Sequence, residues 1–172
     1  PLQILWINLA SDSLPALALT ADPADPHVID QEPYDPKKEI FSGIIQFSVI
    51  VGIIDFIFTY GFFVYLLKVL KLPVVEARTM SFTASVFFEF FLVFAIRSPF
   101  PAKLKDLVNN KFLLLAVALG IFAHLAVIYV PFLQEVFSTT ALPMKDWLLI
   151  ILVSSIGFFG VELLKRLKVF KA

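Results

Sequence analysis

Three oxygen-bearing side chains lie close together near the start of the chain. Asn8, Ser11 and Asp12 are spaced i, i+3 and i+4, which places them on one face of a helix. Amide, hydroxyl and carboxylate oxygens are the ligands that a hard cation such as calcium prefers. Pro15 lacks the N–H that would bond the Ser11 carbonyl, so this carbonyl is freed beside them. The pattern predicts a cation site at an interrupted helix. The alternative is a kinked helix whose polar face bonds to a neighbouring helix.

Two further acids lie inside apolar segments. Glu89 stands between Phe88 and Phe90 and is the second candidate ligand. A protonated, hydrogen-bonded Glu89 that faces other helices is the alternative. Asp55 is a weaker candidate for ion traffic, because Thr59 is its only polar companion one helical turn away.

Other polar residues in the apolar segments fit structural roles. His124 is interpreted as a packing histidine, and Ser154 and Ser155 as helix-contact residues. Glu162 precedes Lys165 by one turn and is interpreted as part of an interfacial ion pair of little energetic value.

The composition shows what must position these residues. The chain is 59% hydrophobic and 16% charged, whereas soluble domains are about 45–50% apolar and about 25% charged. A spanning helix needs about 20 apolar residues, and helices satisfy their own backbone hydrogen bonds in lipid. The sequence therefore predicts an all-α membrane protein, a bundle of about five transmembrane helices with the first broken near Pro15. The spans are Leu2–Leu19, Ile44–Leu66, Thr79–Ile96, Phe112–Val130 and Trp147–Leu164.

The loops predict an orientation. Loop 20–42 is rich in Asp and Pro, which favours an extended surface segment. If the spans alternate in direction, ten of the fourteen Lys and Arg residues fall on the side that holds this loop and the C-terminus. The positive-inside rule then places loop 20–42 and the C-terminus in the cytoplasm.

Several classes of function are excluded by what the sequence lacks. There is no cysteine, so thiolate metal sites and thiol nucleophiles are excluded. The formal net charge is zero, which gives no indication of nucleic acid as a partner. A phosphate-binding glycine loop is also missing, so nothing in the chain is expected to bind ATP. Because an apolar segment begins at Leu2, directly after Pro1, the chain is expected to be part of a longer protein.

Three motifs carry a family resemblance. The sequence Gln3–Ala16, QILWINLASDSLPA, resembles the sixth membrane helix of P-type calcium ATPases, whose pattern is close to Q-hydrophobic-LW-x-N-L-x-T-D-G-L-P-A. The eighth helix of these pumps is similar to the segment Thr79–Thr83 followed by Phe88 and Glu89. The end of their tenth helix is similar to Glu162–Lys165. The resemblance covers Gln3 to about Lys168. It implies that residues 1–172 form the C-terminal transmembrane domain of such a pump, with its sixth to tenth helices.

The resemblance also implies roles for individual residues. Asn8, Ser11 and Asp12 match cation-coordinating positions, with Asp12 expected to bridge two ion sites, and Glu89 matches the acid of the eighth helix. Calcium is the implied transported ion, with manganese as the alternative, whereas ATP and magnesium would bind only to cytoplasmic domains absent from this chain. The implied partners are the lipid bilayer, the fourth and fifth membrane helices and the phosphorylation domain of the parent ATPase. Loop 20–42 matches the loop that couples the membrane helices to that domain.

Departures from the family pattern keep alternatives open. Ser13 replaces the usual glycine, and Ser11 replaces threonine while keeping the hydroxyl. Asp55 matches no motif of the family. One alternative keeps the family and changes the ion to manganese, sodium or the proton. Another is a membrane scaffold or channel subunit whose acids only hold helices together.

Overall fold

The computed structural model describes residues 2–22, 45–97 and 107–167, and every regular element within them is helical. Five helices are long and apolar enough to cross a membrane, which confirms the predicted number of spans. The first span, Leu2–Leu19, consists of α1, a π-helical segment and α2. The elements are α1 (Leu2–Trp6), the π segment (Ile7–Asp12), α2 (Ser13–Leu19), α3 (Ile45–Lys68), α4 (Val74–Ile96), α5 (Lys111–Tyr129), α6 (Pro131–Phe137) and α7 (Met144–Arg166).

The interruption of the first span is a change of helix type. The backbone widens into the π segment before Pro15, and Pro15 then lies in the first turn of α2. Pro15 has no N–H to donate to a carbonyl of the π segment before it. The predicted interruption is therefore present, but the chain remains helical throughout the span.

Helix bounds differ from the predicted ones where charged residues lie at the ends. Helix α4 begins at Val74 and includes Glu76 and Arg78, and α7 begins at Met144, ahead of Lys145 and Asp146. The short helix α6 was not predicted. Pro131 occupies its first turn, and Ser138 ends it in the left-handed conformation. Most of loop 20–42 lies outside the described residues, which resume at position 45.

Helix α4 is the centre of the bundle. It packs most extensively against α7, and it also contacts α3, α5 and the π segment. Two apolar clusters lie on its sides. One joins it to α2 and α5 around Phe82, Val86 and Leu113, and the other joins it to α3 and α7 around Met80, Leu66 and Ile150.

Two glycines allow neighbouring helices to approach α4 closely. A Cβ on Gly157 of α7 would lie 2.7 Å from the ring of Phe88, and one on Gly120 of α5 would lie 2.6 Å from the ring of Phe90. Small residues at helix contacts permit such packing in membranes, where lipid reduces the hydrophobic driving force. Phe88 and Phe90 flank Glu89, so these contacts fix the rotation of α4 at the residue with a candidate site role.

Polar contacts join the helices at both ends of the bundle. Lys165 donates to the Ala95 carbonyl at the end of α4 and to Glu162 Oε1 at 2.8 Å. At the other end, Trp147 Nε1 donates to the Tyr129 hydroxyl at 2.8 Å. The predicted ion pair between Glu162 and Lys165 is present. Glu162 and Lys165 are both buried, because the end of α7 packs against the end of α4.

We expect Gly157→Ala to destabilise the bundle by about 1–3 kcal/mol, the range for overpacked cores. The added methyl group must displace the buried ring of Phe88. Thermal unfolding of the purified protein in detergent measures the effect. Gly160→Ala is the matched control, since nothing lies within 4 Å of its added Cβ. An equal loss of stability in both variants would contradict the proposed role of the Gly157 contact.

Candidate functional site

The candidate site lies where the first span meets α4. The π segment contacts α4 and α5, which brings Asp12 next to Glu89. The carboxyl of Glu89 lies within hydrogen-bonding reach of the Asp12 carboxyl. Two predicted site residues, distant in sequence, therefore meet inside the membrane-spanning part of the chain.

The other predicted ligands belong to the same π segment. Asn8 and Asp12 are both exposed in this chain, and Glu89 is half-buried. The backbone of Ser11 lies in the π segment, whereas its side chain lies outside the described part of the structure. Single-turn π segments occur frequently at functional sites, because the wider turn redirects side chains and carbonyls.

Ser13 makes a contact that the sequence did not predict. Its hydroxyl donates to the carbonyl of Asn8, five residues earlier, at 3.0 Å. This hydrogen bond crosses one turn of the π segment and occupies one lone pair of the Asn8 carbonyl oxygen. A residue with no side-chain hydroxyl at position 13 would leave that lone pair free.

The acids do not form a complete metal cage. Among residues 2–22, 45–97 and 107–167, no group of three or more His, Cys, Asp or Glu side chains is close enough to hold a metal ion. Calcium takes 6–8 oxygen ligands. The described residues can therefore supply only part of a coordination shell.

Asp55 is closer to the site than its sequence context indicated. Its carboxyl accepts a hydrogen bond from the Thr59 hydroxyl at 3.1 Å, and the charge of Asp55 acts on Glu89. Thr59 also contacts Ser85 of α4 at 3.2 Å. The sequence could not reveal Ser85 as a companion, since it belongs to another helix.

His124 is a packing residue, as predicted, but its buried Nδ1 has no hydrogen-bond partner among the described residues. It is completely buried, its Nε2 lies 3.2 Å from the Thr83 hydroxyl, and its ring packs edge-to-face against Phe82. Ser154 donates to the Ala84 carbonyl of α4 at 2.9 Å and so is a helix-contact residue. Ser155 bonds instead to the Leu152 carbonyl of its own helix.

The end of the first span is fixed by a polar cluster that we call the Asp22 cluster: Asp22, Arg97 and Asn110. Arg97 donates to both carboxylate oxygens of Asp22, at 2.5 and 3.0 Å. Asn110 donates to Asp22 and to the Ala18 carbonyl, and its side-chain oxygen caps the start of α5. The hydrogen bonds from Arg97 hold the pKa of Asp22 below its ordinary value. The cluster joins the first span to α4 and α5 just beyond the site.

The fold and this site together define a class of protein. The structure has five helices of spanning length, and carboxyls of two of these spans meet. Intramembrane acids are costly to insert and mark ion pathways. The molecule is thus an integral membrane protein that spans the bilayer several times, with acids in its interior.

Comparison with known proteins identifies the family. The model of the family described as "Cation transporting ATPase, C-terminus" matches residues 1–167, and the chain belongs to this family. It is 36% identical over 90% of its length to "Calcium-transporting ATPase 1" of Yarrowia lipolytica. It is 30% identical over 98% of its length to "Calcium-transporting ATPase 1" of Bacillus cereus. It is 32% identical over 97% of its length to human "Calcium-transporting ATPase type 2C member 1".

The chain covers only a small part of these relatives. It spans 17%, 21% and 18% of their lengths, respectively. Together with the family description, this shows that the chain corresponds to their C-terminal membrane region. The suspected relationship to calcium-transporting P-type ATPases is confirmed.

The Asp22 cluster generates a prediction about acid stability. The pKa of Asp22 is lower in the folded protein than the ordinary aspartate pKa of 3.8. The ionised carboxylate therefore stabilises the fold fully above this pH, and the stabilisation is lost as the pH falls below it. We expect wild type to be more stable than Asp22→Asn near neutral pH, with the difference shrinking below about pH 4. Thermal unfolding in detergent across this range measures it. Glu135→Gln, which changes an exposed carboxylate on α6, is the control, and a difference independent of pH would contradict the prediction.

Proposed function

We propose that this chain forms part of the ion path of an ATP-driven calcium pump. Asn8, Ser11, Asp12 and Glu89 supply oxygen ligands from the first span and α4. The proposal is carried by the meeting of Asp12 and Glu89 at the π segment. It is supported by the relatives, whose names describe calcium-transporting ATPases.

The chemistry of the pair suits a divalent cation. Two neighbouring carboxylates repel each other, and a divalent cation bound between them offsets that repulsion. Asn8 and Ser11 then add neutral oxygens, and ligands from other helices of the pump complete the 6–8 that calcium requires.

The remaining machinery lies outside this chain. ATP and magnesium bind to cytoplasmic domains, where phosphorylation drives the change between inward-facing and outward-facing sites. Helices equivalent to the fourth and fifth spans of the pump pack against the exposed face of the first span. Loop 20–42 and the C-terminus lie in the cytoplasm, as the distribution of Lys and Arg indicates.

Manganese is the second candidate ion. It shares the preference of calcium for carboxylate, carbonyl and water ligands, so the side chains named above do not discriminate strongly between the two. The coordination geometry imposed by the rest of the site would decide which ion binds more tightly. The test therefore compares the two ions directly.

The test measures phosphoenzyme formation from ATP in the full-length ATPase that carries this chain, titrated separately with calcium and manganese. We expect calcium to stimulate phosphorylation and Asp12→Asn to reduce the apparent affinity at least about tenfold or to abolish the response. The reason is that the substitution removes the charge of a direct ligand. Glu135→Gln is the control, because its carboxylate lies exposed on α6, outside the site.

Two results would count against the proposal. If phosphorylation depends on neither calcium nor manganese and is unchanged by Asp12→Asn, the assignment of this site is overturned. Stimulation by manganese but not by calcium would support the proposed site and would change the assigned ion to manganese.

A further inference from the structure

A polar bridge joins the middle of α3 to α4. Asp55 lies near the centre of the 24-residue helix α3, where an acid is costly to place in a membrane. The Thr59 hydroxyl donates to Asp55 Oδ1 at 3.1 Å and lies 3.2 Å from the Ser85 hydroxyl. Bonds within and between helices thus accompany an acid that the family resemblance does not explain.

The direction of these hydrogen bonds follows from counting protons. A hydroxyl has one proton to donate, and Thr59 gives its proton to Asp55. Thr59 must therefore accept from Ser85. The two hydroxyls thus form a chain from α4 to the carboxyl of Asp55, in which only Thr59 contacts the carboxyl.

The bridge leads to the candidate cation site. Ser85 and Glu89 are four residues apart on α4 and therefore lie on the same helical face. The carboxyl of Glu89 interacts directly with Asp12 and, through charge alone, with Asp55. Asp55 is too far away to share an ion with the other two acids, since no three acids among the described residues can hold a metal together.

We infer that Asp55 is a positioning residue that strengthens cation binding at Asp12 and Glu89 without contacting the cation. Its charge adds to the negative potential at the site, where the interior screens charges much less than water does. Thr59 gives the carboxyl of Asp55 a hydrogen bond, and the contact of Thr59 with Ser85 holds this part of α3 beside α4. This inference rests on the proposed function of the site.

The alternative role for Asp55 is purely structural, as an acceptor that holds α3 against α4. Asp55→Asn separates the two roles, because asparagine keeps a side-chain oxygen for Thr59 and loses the charge. A structural role predicts unchanged cation affinity in this variant. An electrostatic role predicts weaker affinity with an unchanged maximal response.

The experiment measures calcium-dependent phosphoenzyme formation in the full-length ATPase with wild type, Asp55→Asn and Asp55→Glu. We expect Asp55→Asn to raise the half-maximal calcium concentration about tenfold with the maximal phosphoenzyme level retained, because one unit charge near a divalent cation is lost. Asp55→Glu should restore most of the affinity. If Asp55→Asn does not fold, Asp55→Thr, which is also uncharged and keeps an acceptor oxygen, is judged by the same criterion.

Controls separate this inference from the proposed function. Ser155→Ala removes a hydroxyl that bonds only within α7 and should leave the calcium response unchanged. Wild-type affinity in the uncharged Asp55 variant, together with loss of the response in Asp12→Asn, would overturn the role of Asp55 alone. A normal response in Asp12→Asn would overturn the proposed site, and with it this inference.

Discussion

The direction of Glu89 depends on how α4 is held between its neighbours. Phe88 packs against Gly157 on one side, and Phe90 packs against Gly120 on the other. Successive residues of a helix point about 100° apart, so fixing these two rings fixes the residue between them. Glu89 is thereby directed to where the π segment and α3 meet α4. Steric contacts of two glycines thus determine where the bundle presents a carboxyl.

The first span combines fixed ends with a widened middle. At its start, Gln3 donates to the Phe137 carbonyl at 2.8 Å, and Trp6 packs against the Phe137 ring. At its end, the Asp22 cluster joins it to α4 and α5. The π segment lies between these attachments. Small changes in the helical turn there can redirect Asn8 and Asp12 without detaching the span.

Much of the fold was predictable because lipid restricts the backbone to few solutions. Apolar length predicted the five spans. The ends of the helices were less predictable, since hydropathy detects only the apolar centre of a helix. Helix α4 extends beyond its apolar centre and includes Glu76 and Arg78. Helix α6 was missed because its seven residues are too short for a periodic signal.

The sequence named the residues of the proposed site, but it did not show their contacts with other helices. Spacing identifies companions on the same helix, so it found Thr59 for Asp55 and could not find Ser85. The pairing of Asp12 with Glu89, more than seventy positions apart, depends on the packing of two separate spans. The family resemblance implied this pairing, and spacing alone could not show it. Asn110 did carry a local signal, as a capping residue directly before an apolar helix. Its bonds to the end of the first span required the fold.

The exposure of the site follows from the same packing. Pro15 and Ala18 of α2 are buried against the bundle, whereas Leu5, Asn8 and Leu9 point away from it. A polar amide among exposed leucines is unfavourable in lipid, because hydrocarbon offers it no hydrogen-bonding partner. This face is therefore suited to contact with further protein rather than with lipid. A cation bound between that protein and the pair of Asp12 and Glu89 would be enclosed by oxygens on both sides, which the described helices alone do not achieve.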